Sequence, residues 1–278
     1  MTTDRMVTVE PRTPGRLDAL LALTRRDVER RAVEVPPAVL ERRAARVQPN
    51  GRAFVAAVSR RDRVNVIAEC KRRSPSRGAL RADLDPVELS VAYERNGASA
   101  VSVLTEPHAF GGSLADLEAI RRAVGLPLLR KDFVLTEYQL LEARAAGADA
   151  VLLIAAALDR ASLAGLFDCA SALGLGALVE VHDEGELAEA LGLGVALVGI
   201  NCRNLRTFDV DISTAERLAG GIPPSVTAVA ESGITSPAQI ARLTGLGYRA
   251  FLVGEALVTS ADPGATLAGW LEELRRCG

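Results

Sequence analysis

Lysine is nearly missing from this chain of 278 residues: only Lys71 and Lys131 stand among its 33 basic side chains. Histidine is equally scarce, with His108 and His182 alone, and aromatic residues make up 4%. The four cysteines (Cys70, Cys169, Cys202, Cys277) have no motif spacing. With so few soft donors no metal site is expected, and the cysteines suit reduced thiols rather than a disulfide framework. His108 falls in a loop, and His182, just past Glu180, reads as a rim residue that satisfies its neighbours. The longest apolar run, Ala150–Leu158, is too short to span a bilayer. The N-terminus carries Asp4 and Glu10 and no long apolar stretch, so no secretory signal is expected. A net charge of −2 points to neither nucleic acid nor membrane as a partner. These absences describe a cytoplasmic protein acting on a small molecule.

What is present is 49% hydrophobic residues, enough for a full core. Residues 15–48 read as two amphipathic helices, with Leu17, Leu20, Leu21 and Val28 as an apolar stripe and Pro36-Pro37 opening the second. Phe54, Val55 and Val58 suggest a third, short helix. Residues 1–63 hold 14 arginines against 8 acidic residues, which reads as solvated helix faces. From Val64 a strand–helix alternation sets in. Strands are expected over 64–70, 100–104, 127–132, 149–154, 176–181, 195–200, 225–230 and 250–253. The intervening helices open on signals such as Asp85-Pro86, Ser113 with Asp116, and Ser236-Pro237. The strands are near-continuous Val, Ile, Leu and Ala, as in a parallel sheet buried on both faces. Eight βα units in about 215 residues predict a (β/α)8 TIM barrel. An open doubly wound sheet is the alternative, but no G-x-G-x-x-G follows the first strand to support a dinucleotide version.

Charge gathers where these strands end. The first ends Glu69-Cys70-Lys71, the third Arg130-Lys131-Asp132, the fifth Glu180 and the sixth Asn201. The seventh ends Glu231-Ser232-Gly233 and the eighth Gly254-Glu255. In a parallel barrel these ends share one rim, where the active sites of this fold lie. Side chains two apart on a strand point the same way, so Glu69 and Lys71 share a face while Cys70 and Arg130 point elsewhere. Charges carried out of water are costly unless paired or used. Arginine does not release its proton, whereas a buried lysine can have its pKa lowered and exchange one. Ser232-Gly233 and Gly254 leave backbone N–H groups free for an anion. The charged rim and these small residues together imply a phosphorylated substrate.

The runs IAECKRRSPSRG, SVLTEPHAFGGS, LPLLRKDFVLTEYQ, ADAVLLI, LVEVHDEGE, VGINCRNLRTF, AESGI and LVGEALV resemble indole-3-glycerol-phosphate synthase, in that family's order and over about residues 15–278. The resemblance implies one domain spanning 1–278, with 1–63 as a helical extension covering the catalytic mouth. It implies a lyase of tryptophan biosynthesis that needs no cofactor and has no fused isomerase domain. The reaction closes 1-(2-carboxyphenylamino)-1-deoxyribulose 5-phosphate to indole-3-glycerol phosphate, with loss of CO2 and water. By resemblance Lys131 is the general acid, Glu180 the general base, Lys71 a second proton-handling or phosphate-binding lysine and Glu69 its partner. Asn201, Glu231 and Ser232 match the remaining polar catalytic positions. Ser74 and Arg203 match grips on anionic groups, Gly233 and Gly254 the phosphate loops, and Phe133 the aryl wall. Two positions depart from the pattern: Cys202 stands where a second Asn is common, and Glu255 where Ser is frequent.

Two other readings are open to the same residues. A phosphoribosylanthranilate isomerase would use a strand-end cysteine, for which Cys70 is the candidate, but strand parity turns Cys70 to the helix layer. A catalytically idle phosphate-binding barrel would have no need of both lysines and Glu180.

Overall fold

The computed structural model describes residues 15–74, 77–81, 83–205 and 207–277, without the side chain of residue 277. The expectations attached to Asp4 and Glu10 lie outside these residues. Eight parallel strands close on themselves: β1 (Asn65–Cys70), β2 (Ala100–Leu104), β3 (Leu128–Lys131), β4 (Ala150–Ile154), β5 (Gly176–Val181), β6 (Leu197–Asn201), β7 (Thr227–Glu231) and β8 (Ala250–Val253). Because β1 pairs with both β2 and β8, the sheet has no edge, and the doubly wound alternative falls. No strand end differs from its expected position by more than two residues. The helices are α1 (Arg16–Glu34), α2 (Pro37–Ala44), α3 (Gly51–Val58), α4 (Pro86–Arg95), α5 (Leu114–Ala123), α6 (Glu137–Ala145), α7 (Arg160–Ala172), α8 (Glu184–Gly192), α9 (Ser213–Ala219), α10 (Pro237–Gly245), α11 (Glu255–Val258) and α12 (Pro263–Cys277). The capping signals work as read. Asp85 accepts from the Val87 and Glu88 amides, and Ser113 accepts from Asp116.

Strand parity divides the apolar residues into two cores. Val66, Ala68, Val101, Val103, Val179 and Ile200 pack outward against the helices. Ile67, Ala100, Leu129, Ala150, Leu178, Leu197, Val229 and Ala250 fill the barrel interior. These alternations follow from side chains pointing to opposite faces at successive positions. Among the described residues no helix is long and apolar enough to cross a membrane.

The N-terminal helices do not all lie over the rim, which corrects the expectation for 1–63. Leu17 and Leu20 of α1 line the cavity at the C-terminal ends of the strands. In contrast, α3 closes the opposite end. Phe54 and Val58 are fully buried within the interior core, and the Asn50 and Gly51 amides donate to Asp149 and to the Gly174 carbonyl. A Cβ on Gly51 would sit 2.2 Å from the Gly176 nitrogen, so only glycine allows this approach. The reason is composition: the short segment 51–58 is apolar enough to plug a barrel, whereas the Arg-rich α1 is suited to a wet rim.

Candidate active site

A cavity of about 440 Å³ opens at the C-terminal ends of the strands. It brings together every site residue expected from the sequence: Glu69, Lys71, Ser74, Lys131, Phe133, Glu180, Asn201, Arg203, Glu231, Ser232, Gly233, Gly254 and Glu255. Two ion-paired groups form its polar floor. Lys71 Nζ lies 2.8 Å from Glu69 Oε1, both supplied by the end of β1. Across the barrel, Lys131 Nζ lies 3.4 Å from Glu180 Oε2 and 3.4 Å from Glu231 Oε2.

Burial would depress Lys131, but Glu180, Glu231 and Glu69 outweigh it and raise its proton affinity above the ordinary lysine value. The expectation of a lowered lysine pKa is therefore reversed here, because three carboxylates face one ammonium. The two nearest carboxylates are not equivalent. Burial pushes Glu180 up, but the Lys131 charge, then His182 and the Asn201 amide, hold it well below the usual carboxylate range. The Asn201 Nδ2 group donates to Glu180 Oε1 at 2.9 Å. Burial pushes Glu231 up, Lys131 pulls it down, and the Glu180 charge raises it again, to about 8. Geometry gives the same order. Glu231 Oε1 is buried without a hydrogen-bond partner among the described residues, while Glu180 has donors on both oxygens. Of the two, Glu231 therefore holds a proton the more tightly and Glu180 carries negative charge the more readily.

Glycines make room for these carboxylates. A Cβ on Gly199 would lie 2.0 Å from Glu231 Oε1, and one on Gly254 would lie 2.4 Å from Glu69 Oε1. We predict that Gly199→Ala folds but loses ~10²-fold in kcat with KM little changed. The new methyl must displace the Glu231 carboxyl from Lys131, and misplacement near 1 Å is enough for such a loss. Kinetics within a few-fold of wild type, in a variant of unchanged thermal stability, would refute this.

The loops complete the cavity. Ser232 (φ 63) and Gly233 (φ 79) both adopt left-handed backbone, and Ser232 is held there against its side chain's preference. Among the described residues the Gly233 and Ile234 amides donate to no protein acceptor, so they are available to an anion. Glu255, the departure at the second phosphate loop, is paired with Arg77 at 3.0 Å, which offsets its charge. Asn201 Oδ1 accepts from the Arg203 amide, and the Arg203 guanidinium donates to the Phe208 carbonyl. Phe208 is itself left-handed (φ 66), and the Arg16 guanidinium lies 5.6 Å from the centre of its ring. With Phe110 and Phe133, it lines the cavity with aromatic surface.

Several contributors were not singled out from the sequence. Arg77, Phe110 and Phe208 lie in loops with no periodic signal. Glu106 is buried and caps the loop after β2 by accepting from the amides of His108, Ala109 and Phe110. His182, expected from the sequence as a rim residue, stands behind Glu180, with Nε2 3.4 Å from its Oε1, an ion-pair contact outside hydrogen-bonding line, and with Nδ1 3.1 Å from Glu186. Against burial, Glu180 and Glu186 push the imidazole up to about 10. Because the folded value is raised, the stabilisation is full below the unfolded value near 6.5 and is lost as pH rises through about 10. We predict that the His182 ring stays charged from pH 6 to 8.5 by NMR, and that His182→Asn destabilises more at pH 6 than at pH 10. Titration near 6.5 would contradict both.

Parity also disposes of Cys70. It faces α4, its Sγ lies 3.2 Å from Ser90 Oγ, and burial pushes its thiol up to about 12. Arg130 likewise faces the helices, where it reaches Thr105, Asp132, Glu142 and the Gln139 carbonyl. Among the described residues no cluster of three or more His, Cys, Asp or Glu is arranged to hold a metal ion.

A family model described as indole-3-glycerol phosphate synthase matches residues 17–269. The chain is 55% identical over 247 residues to the indole-3-glycerol phosphate synthase of Parafrankia sp. (strain EAN1pec), covering 89% of this chain and 91% of that one. It is 50% identical over 252 residues to the enzyme of that name from Streptomyces griseus, covering 91% and 93%. It is 49% identical over 247 residues to indole-3-glycerol phosphate synthase 1 of Streptomyces coelicolor, covering 89% and 91%. Among solved structures it resembles the N-acetylmannosamine-6-phosphate 2-epimerase of Clostridium perfringens, with a TM-score of 0.55 and 18% identity. That match covers 69% of this chain and 86% of the other, and at such identity it speaks for the fold alone.

Proposed function

The chain belongs to the indole-3-glycerol phosphate synthase family, whose members act in tryptophan biosynthesis, and from that premise we propose that it closes 1-(2-carboxyphenylamino)-1-deoxyribulose 5-phosphate to indole-3-glycerol phosphate. The reading rests above all on Lys131, an ammonium flanked by Glu180 and Glu231 at the apolar floor of a rim cavity.

The chemistry asks for such a group. Attack of the aryl ring carbon on the ketone breaks aromaticity, leaving a cation on the ring system and a developing alkoxide. Lys131 gives its proton to that oxygen as the carbon–carbon bond forms, and the surrounding carboxylates offset the cation. Loss of CO2 returns its bonding electrons to the ring, so no electron-sink cofactor is needed. The hydroxyl then leaves as water on taking a proton from Lys71, the second proton-handling lysine, while Glu180 accepts the proton lost from the neighbouring ring carbon. Its low proton affinity in the resting site is set chiefly by the Lys131 charge against burial. Once Lys131 has given up its proton, that restraint is gone and Glu180 becomes a stronger base.

Lys71, with Glu69, serves as the second cation toward the substrate's anionic groups. Ser232, Gly233 and Gly254 receive the phosphate, helped by Ser74 and Arg203, and the aryl ring rests on Phe133. The substrate is thus a small phosphorylated molecule handled in a cytoplasmic setting without metal or cofactor. The test is production of indole-3-glycerol phosphate, followed by its fluorescence, from the ribulose phosphate. The purified protein should turn over after chelator treatment and without added nucleotide or pyridoxal phosphate. No product under those conditions, or activity restored by one metal alone, would defeat the reading.

A further inference from the structure

A second hollow, of about 390 Å³, lies at the other end of the barrel. It is formed by residues just before β1 (Arg61–Val64), by Arg249 just before β8, and by one face of α12. Catalytic rims in this fold lie at the C-terminal strand ends, so the substrate cavity and this hollow are separate. Four arginines line it, Arg61, Arg63, Arg249 and Arg275, against one acidic residue, Asp62. Asp62 is already engaged by Arg60 at 2.5 Å. Arg61 donates to the Pro224 carbonyl and Arg63 to Ser99 Oγ, both neutral acceptors. Among the described residues none of the four has a carboxylate within ion-pairing distance. Burial and the like charge of Arg60 pull Arg63 below arginine's ordinary value, with Asp62 opposing them and Arg275 adding to them. The remaining wall sets Leu271 and Leu274 of α12 beside Val64 and Ala241, with Thr244 and Tyr248 also lining it.

Acidic residues outnumber basic ones in this chain, 35 to 33. Four arginines against one acidic residue in one concavity therefore concentrate positive potential against the overall charge. The guanidinium fork matches phosphate and carboxylate oxygens two at a time. A hollow of this volume fits a ligand of metabolite size. We propose that it is a second anion site, which takes a small phosphorylated metabolite bearing an apolar end that rests on Leu271 and Leu274. A nucleic acid is the poorer match, because the cationic surface is a confined concavity on a net-acidic chain.

The test uses the full chain, with tripolyphosphate and phenyl phosphate as probes, followed by calorimetry at low ionic strength. Wild type should bind one more equivalent of tripolyphosphate than Arg249→Gln/Arg275→Gln. Alternatively, where the sites are not resolved by stoichiometry, the double variant should lose a binding phase by at least ten-fold. Its kcat and KM should stay at wild-type values, since neither arginine reaches the catalytic cavity. In the wild-type protein, methyl resonances of Leu271 and Leu274 should shift with phenyl phosphate, which keeps the test independent of how well the variant folds. Equal binding by both proteins, or unshifted leucine methyls at saturating probe, would overturn the proposal. So would a single-stranded oligonucleotide that binds this face more tightly than either phosphate probe.

Discussion

Replacing Lys131 by arginine should damage turnover as much as replacing it by methionine, with kcat lower by ~10²–10⁴ in both. Arginine keeps the charge that Glu180 and Glu231 face, so substrate affinity should largely survive in that variant. Facing the same carboxylates, a guanidinium holds its proton more tightly still than the ammonium does, so it does not release one to the ketone oxygen. Its longer planar head also moves the donor away from a position fixed by two contacts of 3.4 Å. Methionine removes the cation altogether and leaves Glu180 and Glu231 buried without it, so this variant should lose affinity as well. Arg130 cannot substitute, since it is fully occupied on the helix side. Steady-state kinetics on the two variants separate the effects. An arginine enzyme with near-normal kcat would transfer the general-acid role to Lys71.

Glu180→Gln should bind substrate with KM within a few-fold of wild type and turn over ~10²–10⁴ more slowly. The amide is nearly isosteric, and its oxygen can still accept from Asn201. What disappears is the charge that keeps Glu231 protonated. Burial raises Glu231 and Lys131 lowers it, and with the repulsion from Glu180 removed the second carboxyl should ionise more readily and become the counter-ion of Lys131. The variant should therefore fold with ordinary thermal stability, which a melting curve checks alongside the kinetics. A kcat within a few-fold of wild type would reassign the base, with Glu69 and Glu231 next in line.

The barrel was legible because its signals are local and repeated. Buried strands such as Val151–Ile154 and Val198–Ile200 are unbroken apolar runs, and caps such as Asp85 and Ser113 announce helices from side-chain chemistry alone. Parity then separated Lys131 from Arg130, and Glu69 and Lys71 from Cys70, before any coordinates. The resemblance, not the pattern, supplied the individual roles assigned within the rim. The remainder was illegible for physical reasons. The raised proton affinity of Lys131 depends on three carboxylates from strands far apart in the chain, which no local window contains. Phe208 reaches the cavity through a left-handed backbone conformation that its side chain disfavours, so propensity points away from it. The apolar composition of α3 suits it to a plug, but which end of the barrel it closes is a tertiary choice that no local window contains.

That placement has a consequence for how the molecule opens. The cover helix α1 rests Leu17, Leu20 and Leu21 on the mouth of the interior core and is tied at the rim by Arg31 with Glu142, His108 with Asp27, and the Tyr138 hydroxyl donating to the Arg31 and Val35 carbonyls. Such contacts can break while the barrel stays closed. The plug α3 has no such freedom, since Phe54 and Val58 leave the interior only when the strands around them part. The two helices, separated in sequence only by α2, thus belong to different cooperative units. Backbone amides of α1 should exchange with deuterium through small local openings, and those of α3 only when the whole protein unfolds.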